Sequence, residues 1–161
     1  MLNFLKRNKQ SRTQLISVIE YPDKLVIETY FRLESWVWRR TDIVSVLSKD
    51  NNEKEIHDGV LKHLAFSKIV KERNYDFEKM ENNYNKLIGL KSIKSQMADS
   101  KMVQIFRDNN DVTFTPMKNG GAKGIDKGYS EIIEKIIKMN ESELRIKTLN
   151  DSLKISFANC E

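Results

Sequence analysis

From Leu25 to Leu33 the chain alternates, with Leu25, Ile27, Thr29, Phe31 and Leu33 on one side and Glu28 and Arg32 on the other. A period of two is the mark of a half-buried strand. Leu15 to Ile19 is a second β-rich run, and Tyr21-Pro22-Asp23-Lys24 between them places proline at the second position of a tight turn. The two runs therefore predict a hairpin. Ser35-Trp36-Val37-Trp38-Arg39-Arg40 reads as a third strand that leads into Ile43-Val44-Ser45-Val46-Leu47.

The period then changes. Asn52 is placed to cap a helix, with Glu55 three residues later, and Ile56, Val60, Leu61 and Leu64 recur at helical spacing until about Ser67. A second helix is expected over Phe77 to Ile88, with Phe77, Met80, Tyr84, Leu87 and Ile88 as its apolar stripe. Met102 to Phe106 and Val112 to Thr115 predict another hairpin, turned by Asp108-Asn109-Asn110-Asp111 and ended by Pro116 and Asn119-Gly120-Gly121. Ile132 to Ile137 fits a helix or a strand. A closing helix is expected from Glu141 to about Ile155, with Leu144, Leu149 and Leu153 inward. Asn52-Glu53-Lys54-Glu55-Ile56 is matched by Asn140-Glu141-Ser142-Glu143-Leu144, through an internal duplication or through shared capping chemistry alone. Six or so strands, mostly in hairpins, with about three packed helices predict an α/β or α+β fold around a mixed, mainly antiparallel central sheet.

The length of 161 residues, 39% of them apolar, suits one domain over 1–161. Residues 1–12 are expected as a flexible basic arm carrying Lys6, Arg7, Lys9 and Arg12, and 157–161 as a tail. No apolar run nears the roughly 18 residues that span a bilayer. The single cysteine, Cys160, closes no internal disulfide, so a reducing, cytoplasmic setting is expected.

Candidate chemistry is sparse. His57 and His63 are six apart, which on one helix turns them roughly 240° from each other, so they do not converge on a metal and both read as helix-surface residues. Gly120-Gly121-Ala122-Lys123-Gly124 lacks both the Gly-Lys-Ser/Thr ending of a phosphate loop and the three-glycine dinucleotide spacing. No serine stands in a nucleophile elbow. Neither a catalytic centre nor a cofactor is expected, although a dispersed catalytic site leaves no motif to find. The net charge of +5 permits phosphate binding, but lysines and glutamates alternate along the chain rather than forming one basic stripe.

The best candidate for an external contact is aromatic and basic. Trp36, Trp38 and Arg40 would share one strand face with Arg39 opposite, and tryptophan and arginine are enriched at binding hot spots. The same pattern also fits tryptophans in the core with arginines capping the edge. Asp50, Glu53, Glu55 and Asp58 form a local acidic cluster in the sequence.

Tyr30-Phe31-Arg32 followed by Trp36-Val37-Trp38, Val112-Thr113-Phe114-Thr115-Pro116 leading into the glycine loop, and the acid-led helices at Asn52 and Asn140 together resemble the immunity proteins of bacterial contact-dependent growth inhibition systems. Pro116-Met117 departs from the Pro-Thr usual there. The resemblance implies a protein that binds the C-terminal toxin domain of its cognate effector, in such systems often a nuclease, as a 1:1 heterodimer and without turnover. It transfers no interface residues, so Trp36, Trp38, Arg39, Arg40, Asp50, Glu53, Glu55 and Asp58 stand as contact candidates by residue type. Inhibitors of basic nucleases tend to be acidic. A basic chain must either meet acidic toxin surface or use its local acidic cluster. The alternative function is a small nucleic-acid-binding module, for which the basic arm and the net charge speak.

Overall fold

The structure, a computed structural model, describes residues 12–161. The expected basic arm, apart from Arg12, lies outside the described residues. Eight strands form one sheet: β1 (Thr13–Glu20), β2 (Lys24–Leu33), β3 (Trp38–Ser48), β4 (Ile69–Val70), β5 (Lys101–Asp108), β6 (Asp111–Asn119), β7 (Tyr129–Glu131) and β8 (Ile137–Asn140). Four α-helices accompany them: α1 (Glu53–Phe66), α2 (Phe77–Ile88), α3 (Ile93–Met97) and α4 (Ile146–Ala158). The strand order is β3-β2-β1-β5-β6-β7, with β8 also on β6 and β4 beside β2. Every pairing is antiparallel except that of β4 with β2, so the mixed, mainly antiparallel α+β class is the observed one.

Alternation along the strands sorts the core onto two faces. Ile16, Val18, Leu25, Ile27, Val103, Ile105, Val112 and Phe114 pack against Val60 and Leu64 of α1 and Leu149 and Leu153 of α4. The intervening residues Ile19, Val26, Met102 and Met117 meet Tyr84 and Ile88 of α2. Each fully buried aliphatic contributes about 1.5–3 kcal/mol, so both faces are needed to hold the sheet. Phe31 and Leu33 pack with Val70 and Phe77 in a third cluster at the far end of β2.

Local chemistry sets the helix ends. The Asn52 side chain accepts from the Glu55 amide and starts α1, and Gly89 ends α2 in the left-handed region at φ 72. Leu87, expected on the inner stripe of α2, is exposed. Asn140 also caps, through a reciprocal bond with Glu143, but it starts a 3-10 turn (Glu141–Glu143), and α4 begins only at Ile146. Leu144, Leu149 and Leu153 face inward as expected.

Five readings need correction. The polar face of β2 is buried as well: Glu28 lies beside Arg40, which covers Tyr84 of α2, and Arg32, flanked by β3 and β4, stacks on the Trp36 ring, so neither is at the solvent. Pro116 does not end β6; it sits within it. Its carbonyl accepts from Ile132, so its missing N–H also points away from β5, toward the gap between β7 and β8 where no ladder bond is required. Ile132 to Ile137 is neither one helix nor one strand; it is a 3-10 turn (Ile133–Lys135) that joins β7 to β8. His63 is not a helix-surface residue, because the inward side of α1 carries it under the sheet. Residues 157–161 are not a loose tail. Helix α4 runs to Ala158, and the buried Cys160 thiol donates to the carbonyls of Met102 and Ser156 at 3.2 and 3.3 Å. That burial also pushes its pKa up.

Candidate interaction surface

The candidate surface is the open end of the β2–β3 hairpin. The Leu33 carbonyl accepts from the Trp36 amide at 2.9 Å, and the Leu33 amide donates to Val37 at 2.8 Å. This is the frame of a short hairpin loop in which the residue after the turn takes the left-handed conformation. Glycine or asparagine is the usual occupant. Here it is Trp36, at φ 69, with its side chain 74% exposed. The reading of Trp36 as a strand residue on one face with Trp38 and Arg40 is therefore corrected: the chain turns at Trp36, and β3 begins only at Trp38.

Four basic or aromatic candidates thus go to three places. Trp38 is half-buried and meets Phe106 edge-on, with ring centroids 6.2 Å apart. Arg40 lies over the Tyr84 ring at 4.0 Å and bonds Glu81 at 3.0 Å. Burial alone would lower its pKa, but Glu28 and the neighbouring acidic groups outweigh this and raise it. Arg39 faces outward over Phe77 at 5.3 Å, on the same end of the sheet as Trp36.

What completes this end is remote in sequence. Ser67 Oγ donates to the Tyr30 carbonyl and accepts from the Leu15 amide, wedged between β1 and β2 where they splay. The following residues continue the wedge as β4, paired with Arg32 and Leu33. Lys68, Ile69, Lys71 and Arg73 thereby come beside the hairpin end, and Glu34, Lys71, Glu72 and Arg73 line an open depression there. The Lys68 ammonium lies 5.2 Å from the Phe31 ring, and the buried Arg32 guanidinium 4.2 Å from that of Trp36. Sequence reasoning missed these partners, since no local period marks Ser67 to Asn74 and only the pairing with β2 recruits them.

The acidic cluster is elsewhere and largely engaged. Glu53 bonds Lys154 of α4 at 2.8 Å, and Asp58 bonds Lys54 at 2.5 Å and the His57 ring at 3.1 Å. Those bonds hold the Asp58 carboxyl below its usual range. Asp50 and Glu55 are exposed, in the loop before α1 and on its first turn.

A buried polar cluster lies on the α2 face. Glu28, fully buried, accepts from the Tyr30 hydroxyl at 2.5 Å, and its other oxygen is 4.0 Å from Arg40. Burial, followed by Glu28, raises the pKa of Tyr30 and of Tyr84.

The chain shares its fold with a chain of a toxin–immunity complex. That structure, the CdiA-CT/CdiI toxin and immunity complex from Yersinia pseudotuberculosis, superposes with a TM-score of 0.71 at 12% identity, over 92% of this chain and 98% of the other. A protein of unknown function from Neisseria meningitidis superposes with a TM-score of 0.74 at 15% identity, over 92% and 96%. No protein-family model and no curated protein matches the sequence. No helix among the described residues is long and apolar enough to cross a membrane.

Proposed function

We propose that this chain is an immunity protein, which binds the C-terminal toxin domain of a contact-dependent growth inhibition effector and neutralises it in a one-to-one complex. The observation that carries this reading is the fold likeness, across nearly the whole of both chains, to a chain of a CdiA-CT/CdiI complex. The sequence resemblance selects the immunity side of such a pair. Neutralisation is stoichiometric: the chain acts by occupying the toxin, with no turnover and no cofactor, in the cytoplasm where a toxin would meet its target.

The test is co-expression of the chain with the C-terminal domain of the large protein encoded beside it, followed by purification through a tag on one partner. A salt-resistant one-to-one complex, with rescue of cells from that domain, is the expected result. Absence of both complex and rescue would sink the proposal and favour the nucleic-acid-binding reading. Growth arrest caused by this chain alone would place it on the toxin side instead.

A further inference from the structure

We infer that the Trp36 end of the β2–β3 hairpin is the surface that docks on the partner, and that the partner presents there an apolar socket rimmed by carboxylates. This rests on the immunity reading and specifies its interface.

The first argument is the backbone. Trp36 occupies the left-handed position of its loop, where a side chain is strained and glycine would be relaxed. The core does not use the indole, because the ring is mostly exposed and stacks on the Arg32 guanidinium. Arg32 comes from β2 and is itself buried, so it holds the ring from behind as a fixed platform. A large apolar side chain kept outside the core at a conformational cost, and held rigid, is what a binding anchor needs.

The second argument is the composition of the rim. Val37 and Ile69, 51% and 37% exposed, flank the indole. Arg39, Lys68, Lys71 and Arg73 lie at the same end of the sheet, outnumbering Glu34 and Glu72 there, and none of these cations forms a salt bridge among the described residues. An apolar centre with a cationic rim is complementary to an apolar socket with an anionic rim. In the acidic cluster Glu53 and Asp58 are already bonded to lysines of this chain, which leaves Asp50 and Glu55 as two exposed carboxylates against the four cations at the Trp36 end. Of the two ways in which a basic inhibitor could meet its toxin, the structure therefore favours acidic toxin surface. Nucleic acid fits less well, since the exposed Val37 and Ile69 have no use against a phosphodiester backbone; Glu34 and Glu72, which line the depression, oppose either kind of anionic partner and do not decide between them.

The test measures binding of the full chain to the C-terminal domain of the large protein encoded beside it, and separately to single-stranded RNA and DNA of roughly 20 nucleotides, across a salt series. Trp36→Gly is expected to weaken the protein complex by about 30-fold or more, as loss of a hot-spot anchor does. Lys71→Glu with Arg73→Glu is expected to weaken it by about tenfold and to reverse the salt dependence of association. If the wild-type chain binds and rescues while both variants bind within about twofold of it, the docking surface is elsewhere and the immunity reading survives. Should the wild-type chain bind no partner domain and rescue nothing, both fall together. Oligonucleotide binding that the double charge reversal abolishes would overturn the choice of a protein partner for this patch.

Discussion

The imidazole of His63 is clamped between two hydroxyls, with Nδ1 2.7 Å from Thr29 Oγ1 on β2 and Nε2 2.8 Å from Ser45 Oγ on β3. The ring thus ties α1 to two neighbouring strands. Burial, with a smaller contribution from Lys62, lowers its pKa to about 4. An unfolded chain would protonate this ring near pH 6.5, so between those values the unfolded state binds more protons. The stabilisation is complete above about pH 6.5 and is lost as the pH falls toward about 4, an effect on the order of 2 kcal/mol. Urea unfolding midpoints of the wild type and of His63→Asn at pH 7 and pH 4.5 measure it. The variant is expected to be less stable at pH 7 by about 2 kcal/mol, from the lost packing and the two abandoned hydroxyls, and to lose less on acidification. Equal losses in the two proteins would exclude His63 as the source.

The loop after β6 allows a sharp contrast between adjacent glycines. The Gly120 amide donates to the Gly128 carbonyl and the Gly128 amide to that of Gly121, so the loop closes on itself. A Cβ on Gly120 would lie 1.5 Å from the Asp126 carbonyl oxygen, which is backbone and cannot swing aside. A Cβ on Gly121 would meet nothing, and only its φ of 75 resists substitution. Gly120→Ala is expected to destabilise the chain by about 3 kcal/mol and Gly121→Ala by about 1 kcal/mol, compared by denaturant unfolding. Similar costs at both positions would mean that the loop does not close in this way. The sequence marks this stretch as a loop, but not that residues six to eight apart in it would be in backbone contact.

What was legible in the sequence follows from how local each signal is. Helix α2 has the expected bounds because its apolar stripe, Leu87 excepted, lies within one segment. The β5–β6 hairpin is likewise announced by its own turn. Burial of the polar side of β2 is not, because it depends on β1, β3 and α2 arriving from elsewhere in the chain. The same limit applies to the candidate surface. Trp36 and Arg39 stand out by residue type, but Lys68 to Arg73 reach them only through a parallel two-residue pairing that no local pattern encodes. Trp36 itself reads as a strand residue because a bulky aromatic after Arg32-Leu33 extends an apolar run, while the left-handed turn that interrupts the run carries no glycine to announce it.

The Glu28 cluster predicts opposite effects for two similar substitutions. Tyr30 donates to the buried Glu28 carboxylate at 2.5 Å, so Tyr30→Phe leaves a buried charge short of a donor. That substitution is expected to cost about 2 kcal/mol. The Tyr84 hydroxyl is buried and makes no hydrogen bond of normal length among the described residues, although it faces Glu28 closely enough for that carboxyl to raise its pKa, and its ring lies under Arg40. Tyr84→Phe keeps the ring and the cation above it and removes only an unpaired hydroxyl, so stability is expected to be unchanged or to rise by up to about 1 kcal/mol. Thermal and urea unfolding of the two variants decide it. A large loss in Tyr84→Phe would mean that its hydroxyl serves Glu28 as Tyr30 does.

Trp36 gives the prediction that separates an interface residue from a structural one. In the free chain the indole contributes its stacking on Arg32, about 0.5–1 kcal/mol at an exposed site. Against this stands the left-handed backbone, which costs a residue with a Cβ about 1–2 kcal/mol and glycine almost nothing. Glycine carries its own penalty of about 0.5–1 kcal/mol through the greater freedom of the unfolded chain. These terms nearly cancel, so Trp36→Gly is expected to unfold within about 1 kcal/mol of the wild type in urea. A core tryptophan removed in this way would cost about 3–5 kcal/mol. If the variant loses that much, Trp36 is a structural residue and any weakening of binding on its removal would follow from unfolding. If the free chain keeps its stability while the complex is lost, the indole is retained at this strained position for the partner that covers it.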